Sequence, residues 1–272
     1  MHKTGLRVVI TGAGSGLGRE LALRYAKDGA RLALADIQEK GLKETLRLVE
    51  AAGGSGFTRR CDVRDFSQLA ALAQSCEDLM QGVDVVINNA GVASGGWFEE
   101  LTLDDWDLQL SINLMGVVKG CKAFVPMLQS QGNGSIINIA SMAALMQAPG
   151  MSNYNVAKAG VVALSESLLS ELGPKGVQVH VVCPSFFQTN LLDSFHGPSS
   201  ESKDEIARLL SSSPLSAAEI AEIIVRDSRA GQFMILPHDK ARQAWAVKQA
   251  NPQAIYDEMT RLAVKKMAAA AS

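Results

Sequence analysis

Short apolar runs recur along the chain, and between them apolar positions return every three or four residues. The runs at 6–11 (LRVVIT), 31–35 (RLALA), 56–60 (GFTRR), 84–88 (DVVIN), 135–140 (SIINIA), 177–182 (VQVHVV) and 233–236 (FMIL) predict strands. The longer period predicts helices near 16–28, 39–52, 66–81, 104–130, 152–172 and 216–229. Most of the strand runs are apolar along their length instead of alternating, which implies a sheet covered on both faces. Strand and helix alternate almost to the end, so the expected class is α/β: a doubly wound parallel sheet of about seven strands with right-handed crossovers. No linker divides it. One catalytic domain is expected over 1–237, followed by a helical tail at 238–272 packed on the same domain or on a neighbouring subunit.

Composition narrows the function. The 272 residues are 47% hydrophobic and 20% charged, enough for a sizeable core. A net charge of −2 without a Lys/Arg cluster argues against a nucleic-acid partner. Cys61, Cys76, Cys121 and Cys183 form no CxxC, which fits reduced thiols in a cytoplasmic protein. Met1 to Lys3 lead directly into a strand run, so no secretory leader is expected. Residues 123–157 carry no charge, but Pro126, Gly132, Asn133, Gly134, Pro149 and Gly150 interrupt them; an interior lining is expected there, not a membrane span. His2, His196 and His238 have no metal-ligand spacing, so no metal site is expected. His180 sits within a strand run and reads as a core or interface histidine.

The first candidate chemistry lies in "VITGAGSGLGRELALRYAKDGARLALADI", residues 9–37. Gly12, Gly14, Gly16 and Gly18 follow the first strand and open the first helix. A tight turn there lets the backbone approach a pyrophosphate, and the helix N-terminus offers free N–H groups and the positive end of its dipole. Ser15, Gly16 and Leu17 fall at that N-terminus, and Gly18 lets the helix lie close to the sheet. Asp36 ends the second strand, where a carboxylate accepts hydrogen bonds from adenosine ribose hydroxyls and repels a 2′-phosphate. Neither Ser15 nor Ile37 supplies a compensating cation, so NAD is favoured over NADP, with Arg59 and Arg60 left as side chains able to reach the site.

Tyr154 and Lys158 are four apart and share a helix face. A phenol titrates near 10 and needs help to act as a base at neutral pH; an adjacent ammonium together with the positive nicotinamide of bound NAD⁺ is expected to depress it. Ser141, at the end of the fifth strand, is placed to hold a substrate oxygen.

The spacing TGxxxGxG at 11–18, Asp62-Val63, "NNAG" at 88–91, Asn113, Ser141 and "YNVAK" at 154–158, in this order, resemble the short-chain dehydrogenase/reductase family over residues 6 to about 236. The resemblance implies a Rossmann-type fold and an NAD(P)-dependent oxidoreductase acting on a CH–OH group. It implies catalytic roles for Asn113, Ser141, Tyr154 and Lys158, with Asn113 keeping a water in a proton relay behind Lys158. It also implies cofactor contacts from Asp62, Val63, Asn89, Ala90, Gly91, Tyr154, Lys158, Pro184 and Thr189. Ser185 departs from the family pattern, standing where a glycine is usual after Pro184.

Substrate is expected at 92–98, at 142–151, and at Phe186, Phe187, Leu191, Leu192 and Phe195. These residues either pack their loops or line an apolar pocket; in the second case an uncharged secondary alcohol or its ketone fits best. The insertion at 190–214 has the composition of a substrate lid, and the tail either caps a pocket or stabilises the sheet edge. Two other readings share parts of the pattern: a non-catalytic nucleotide-sensing regulator, and a nucleotide-sugar epimerase or dehydratase. Ser141, Tyr154 and Lys158 are all present, against the first, and the turn is not TGxxGxxG, against the second. Helices 104–130 and 152–172 are apolar on more than one face, and the resemblance implies a homodimer or homotetramer through them.

Overall fold

A computed structural model of the chain describes residues 5–187, 195–198, 207–208, 210–211 and 213–270. Seven strands form a single parallel sheet: β1 (Arg7–Thr11), β2 (Arg31–Asp36), β3 (Ser55–Arg60), β4 (Val85–Asn88), β5 (Gly134–Ile139), β6 (Val177–Val182) and β7 (Met234–Ile235). Their order is β3-β2-β1-β4-β5-β6-β7, the doubly wound Rossmann-type arrangement. The helices are α1 (Gly16–Ala26), α2 (Glu39–Ala51), α3 (Phe66–Met80), α4 (Leu103–Asn113), α5 (Met115–Gln131), α6 (Ala143–Met146), α7 (Ser152–Leu172), α8 (Ala217–Arg229), α9 (Asp239–Ala250) and α10 (Pro252–Ala270).

The apolar strands explain the layering. On β1, Val9 enters one core cluster while Val8 and Ile10 enter the other, and all three are fully buried. One cluster is closed by α3, α5 and α7 through side chains such as Leu72, Phe124 and Val161. The other is closed by α1, α2 and α8 through Leu21, Leu42 and Ile224. Helix ends are fixed locally: Asp65 caps α3 by accepting from the Ser67 N–H, and Thr102/Asp105 and Ser216/Glu219 form capping boxes at α4 and α8. Because β1 pairs with both β2 and β4, the chain reverses its direction of winding there, the point at which open α/β sheets leave a crevice beyond the strands' carboxyl ends.

Three elements differ from the expectation. The helix expected over 104–130 is two helices, interrupted at Leu114. The interruption separates Asn113, whose side chain is clamped to Val92, from Gly116, which lies against Val63 so closely that a Cβ there would be 2.8 Å from it. The apolar pattern runs on through both helices, so periodicity does not reveal the break. A short helix, α6, follows Ser141, and the tail is a pair, α9 and α10, instead of one stripe.

Candidate active site

The glycine turn is as tight as its residues allow. Gly12 has φ +67°, and a Cβ on Gly18 would fall 2.1 Å from the Gly12 carbonyl oxygen, so backbone would meet backbone. The Gly14 N–H donates to Asp36 Oδ2 at 2.9 Å and the Gln38 N–H donates to Asp36 Oδ1 at 2.9 Å. Asp36 is thereby locked at the end of β2, with a further acceptor position on each oxygen. No side chain caps the first turn of α1, where Ser15 stands with extended backbone before Gly16, Leu17 and Gly18. Ile37 is exposed beside Asp36. Arg59 donates to Ser75 Oγ at 2.5 Å, while Arg60 lies in register with Asp36 on the neighbouring strand.

The end of β4 is tied to this turn. Thr11 Oγ1 accepts from the Asn89 and Ala90 N–H groups at 3.1 and 3.2 Å, and Asn89 Nδ2 donates to the carbonyls of Thr11 and Gly12 at 2.9 and 3.1 Å. Next to it Gly91 comes so close to Asn113 and Lys158 that a Cβ there would lie 2.8 Å from Asn113 Oδ1 and 3.6 Å from Lys158 Nζ. Asp62 is paired with Arg64 at 2.7 Å, which holds its carboxyl below the ordinary range; Val63 packs in the core.

Ser141, Tyr154 and Lys158 meet at the end of β5. Ser141 Oγ accepts from the Ala143 N–H at 3.1 Å, which leaves its own proton to donate, and its hydroxyl lies close enough to the Tyr154 phenol to influence it. Lys158 is 4% exposed; its Nζ lies 5.8 Å from the Tyr154 ring centroid and donates to the Ile139 carbonyl at 2.9 Å. Burial pulls Lys158 down to about 8. It pushes the Tyr154 phenol up, and Ser141 only opposes that. The expected depression of Tyr154 includes the charge of bound NAD⁺; in the protein alone burial dominates. The same burial desolvates both groups, and the ammonium is directed to a carbonyl and lies over the ring. Cys183 adjoins both and is held neutral, pushed up to about 12 by burial.

Asn113 is fully committed at its amide nitrogen. Nδ2 donates to the Val92 carbonyl at 2.9 Å and to Gln109 Oε1 at 2.5 Å, and Oδ1 accepts from the Val92 N–H at 2.9 Å. Beneath the site runs a buried polar chain that the sequence does not signal: Asn88 Nδ2 to Asn138 Oδ1 at 2.8 Å, then Asn138 Nδ2 to Ser165 Oγ at 3.0 Å. Asn88 opens the NNAG motif, but an asparagine such as Asn138 inside an apolar strand run carries no pattern, so only the pairing across β4, β5 and α7 reveals the chain.

The segments expected at the substrate come together. The Gly96 N–H donates to the Gly150 carbonyl at 2.9 Å, Asn153 Nδ2 to Ser94 Oγ at 3.0 Å, and the His196 N–H to the Ala93 carbonyl at 3.0 Å. Phe187, Met142, Ala144 and Leu145 are buried in the core clusters, so their side chains pack these loops onto the core. Thr189, Leu191, Leu192 and most of the 190–214 insertion lie outside the described residues. His180 is buried in β6, with Nδ1 2.7 Å from the Gln232 carbonyl, in keeping with a core histidine. His238 meets the Ser185 N–H, a contact that no motif announces. Among the described residues no group of His, Cys, Asp and Glu has metal-binding geometry, and no helix is long and apolar enough to cross a membrane.

Comparison with known proteins gives the arrangement its relatives. Residues 7–197 match the family model described as short chain dehydrogenase. EphD of Mycobacterium tuberculosis, named a probable oxidoreductase, is 37% identical over 197 residues, 71% of this chain and 33% of that protein. The chain thus spans about a third of the length of the first curated relatives it matches. The 3-oxoacyl-acyl-carrier-protein reductase FabG of Thermotoga maritima is 30% identical over 193 residues, 71% of this chain and 78% of that one. Among solved structures, a short chain dehydrogenase/reductase from Burkholderia phymatum in complex with NAD is 31% identical with a TM-score of 0.88, covering 93% of this chain and 96% of that chain. Levodione reductase is 28% identical with a TM-score of 0.76, covering 86% of this chain and 96% of that one.

Proposed function

From its place in the short-chain dehydrogenase family, to which this chain belongs, we propose that it interconverts an uncharged, apolar secondary alcohol and its ketone with NAD. The family makes it an oxidoreductase acting on CH–OH or keto groups with a nicotinamide cofactor. The observation that carries the finer reading is the meeting of Ser141, Tyr154 and Lys158 beside Gly91, at the end of the crevice that begins at the glycine turn.

The turn fits a dinucleotide. A cradle that a Cβ at Gly18 would fill, an uncapped helix start and a fixed carboxylate with spare acceptor positions suit a pyrophosphate and an unphosphorylated ribose. The residues for holding it are Gly12, Gly14, Ser15, Gly16, Leu17, Gly18, Asp36, Ile37, Asp62, Val63, Asn89, Ala90, Gly91, Pro184 and Thr189, with Tyr154 and Lys158 at the nicotinamide end. NAD, when bound, supplies the hydride acceptor and a positive charge beside Tyr154. Ser141 donates its free proton to the substrate oxygen. Tyr154 Oη takes the alcohol proton as the carbinol hydrogen leaves with its electron pair, and returns that proton in ketone reduction. Lys158 supports the phenolate and holds the ribose, and Asn113 fixes the loop at Val92 against both.

Neither 92–98 nor 142–151 contains Lys or Arg, which suits an uncharged substrate. The ketoacyl and levodione reductases among the similar proteins bear names of carbonyl reductions. Exposed Met115, Val156 and Leu169 on α5 and α7 suit a two-fold pairing through those helices, for light scattering at micromolar concentration to test. The direct test of function is turnover with aliphatic, cyclic and aryl alcohols and NAD⁺ or NADP⁺. Oxidation of apolar secondary alcohols with a higher kcat/KM for NAD⁺ is expected. Equal or better kcat/KM with NADP⁺ overturns the cofactor assignment, and no turnover of any alcohol or ketone overturns the whole reading.

A further inference from the structure

The family-model match ends at residue 197, so the hairpin α9–α10 lies outside it. That hairpin nevertheless reaches both loops flanking Tyr154. On one side His238, which precedes α9, accepts at Nδ1 from the Ser185 N–H at 3.2 Å. On the other, Lys248 of α9 donates to the Leu145 carbonyl and to Gln147 Oε1, and Lys266 of α10 donates to the Pro149 carbonyl at 3.4 Å. Ala241 and Ile255, 5% and 3% exposed, anchor the two helices. The loops also touch each other, the Met142 N–H donating to the Pro184 carbonyl at 2.9 Å. The tail therefore grips a joined pair of walls from both ends.

His238 is 6% exposed, and with Nδ1 accepting, its proton sits on Nε2, for which no partner is found among the described residues. Burial first, and then the Arg242 cation, push it below the ordinary histidine range, against a smaller opposing effect of the Phe186 backbone. The ring is thus neutral and remains an acceptor. An apolar side chain would fill this position without leaving an orphaned donor, so packing alone gives no reason for an imidazole here. What the imidazole adds is its hold on Ser185, the residue that stands where the family usually has glycine. Lys248 likewise spends a partly buried ammonium on the α6 segment, with its Nζ 5.6 Å from the Tyr256 ring centroid.

We propose that His238 and Lys248 are positioning residues through which the tail of the same subunit sets the walls of the substrate site and so determines which substrates fit. The substrate part rests on the function proposed above; the tie between tail and loops does not. Full-length His238→Phe, His238→Asn and Lys248→Met are compared with wild type in two measurements. The first is amide hydrogen exchange in 142–151 and 184–187 without ligand. The second is kcat and KM for bulky and small secondary alcohols at saturating NAD⁺. Loss of one net hydrogen bond should speed exchange about five- to tenfold, in 184–187 for His238→Phe and in 142–151 for Lys248→Met. KM for bulky alcohols should rise by a similar factor with kcat and melting temperature nearly unchanged. His238→Asn, which keeps an acceptor in reach of Ser185, should restore both exchange and KM. Unaltered exchange in His238→Phe and Lys248→Met overturns the proposal. So does a His238→Asn variant as impaired as His238→Phe, or a joint fall of kcat and melting temperature, which marks a merely structural role. If wild type turns over no alcohol, the functional reading fails, while exchange still decides whether the tail holds the loops.

Discussion

At the ends of β1 and β2 the crevice is built by the sheet itself: adjacent strands in register bring Asp36 to the Gly14 N–H and Asn89 to the carbonyls of Thr11 and Gly12. At the ends of β5 and β6 the walls are loops, held by side chains arriving from elsewhere, Asn153 to Ser94, His238 to Ser185 and Lys248 to Leu145. The contrast has a consequence. On the function proposed above, moving the cofactor end would mean moving strands, which a packed core resists, whereas the proposed substrate end could change through a tail that the family model does not include. One scaffold is then able to keep its cofactor while varying what it acts on.

Tyr154 stands where the two ends meet, and its loss should have the largest effect. Tyr154→Phe is expected to lower kcat/KM by ~10²–10⁴-fold while cofactor affinity, read by fluorescence titration, stays nearly native. Near-native turnover would show that another group moves the proton. At the cofactor end, Gly18→Ala drives a Cβ into the Gly12 carbonyl, where no side chain is available to yield. A cost of ~1–3 kcal/mol should weaken NAD binding about ten- to a hundredfold, and calorimetric titration showing unchanged affinity would mean that the turn is not the cradle. Asp36→Ala should narrow the preference for NAD⁺ over NADP⁺ by about tenfold, in ratios of kcat/KM. An unchanged ratio would remove Asp36 from ribose recognition.

How much of this was legible from residues alone differs between the two ends for the same physical reason. The strands, their parallel sheet and the turn-to-Asp36 unit follow from short-range pattern, because glycine, β-branched runs and a strand-end acid act within one βαβ unit. Tyr154 and Lys158 were legible for the same reason, one helical turn apart. The break at Leu114, the burial of Phe187 and the grip of His238 were not, since each depends on a partner distant in sequence and on no local period. The desolvation of Tyr154 and Lys158 was not legible either, because spacing gives proximity and not burial, and burial dominates both groups in the protein alone.

The smallest expected effect concerns that burial. Folding lowers Lys158 from its ordinary 10.5 to about 8. Between those values the unfolded chain holds a proton that the folded chain has lost, so this group makes stability rise with pH across the window. The melting temperature of the wild type, taken relative to Lys158→Met, should therefore increase from pH 8 to pH 10 by a few degrees. A decrease would mean that Lys158 is held charged in the fold.

The central claim, that this crevice carries out hydride transfer with Tyr154 moving the proton, is tested most directly with a secondary alcohol deuterated at its carbinol carbon. Incubated with the protein and NAD⁺, it should deliver deuterium to the reduced nicotinamide, detected by mass spectrometry, and Tyr154→Phe should slow that delivery by ~10²–10⁴-fold. Reduced cofactor free of deuterium, or labelling at near-native rate in Tyr154→Phe, would contradict it.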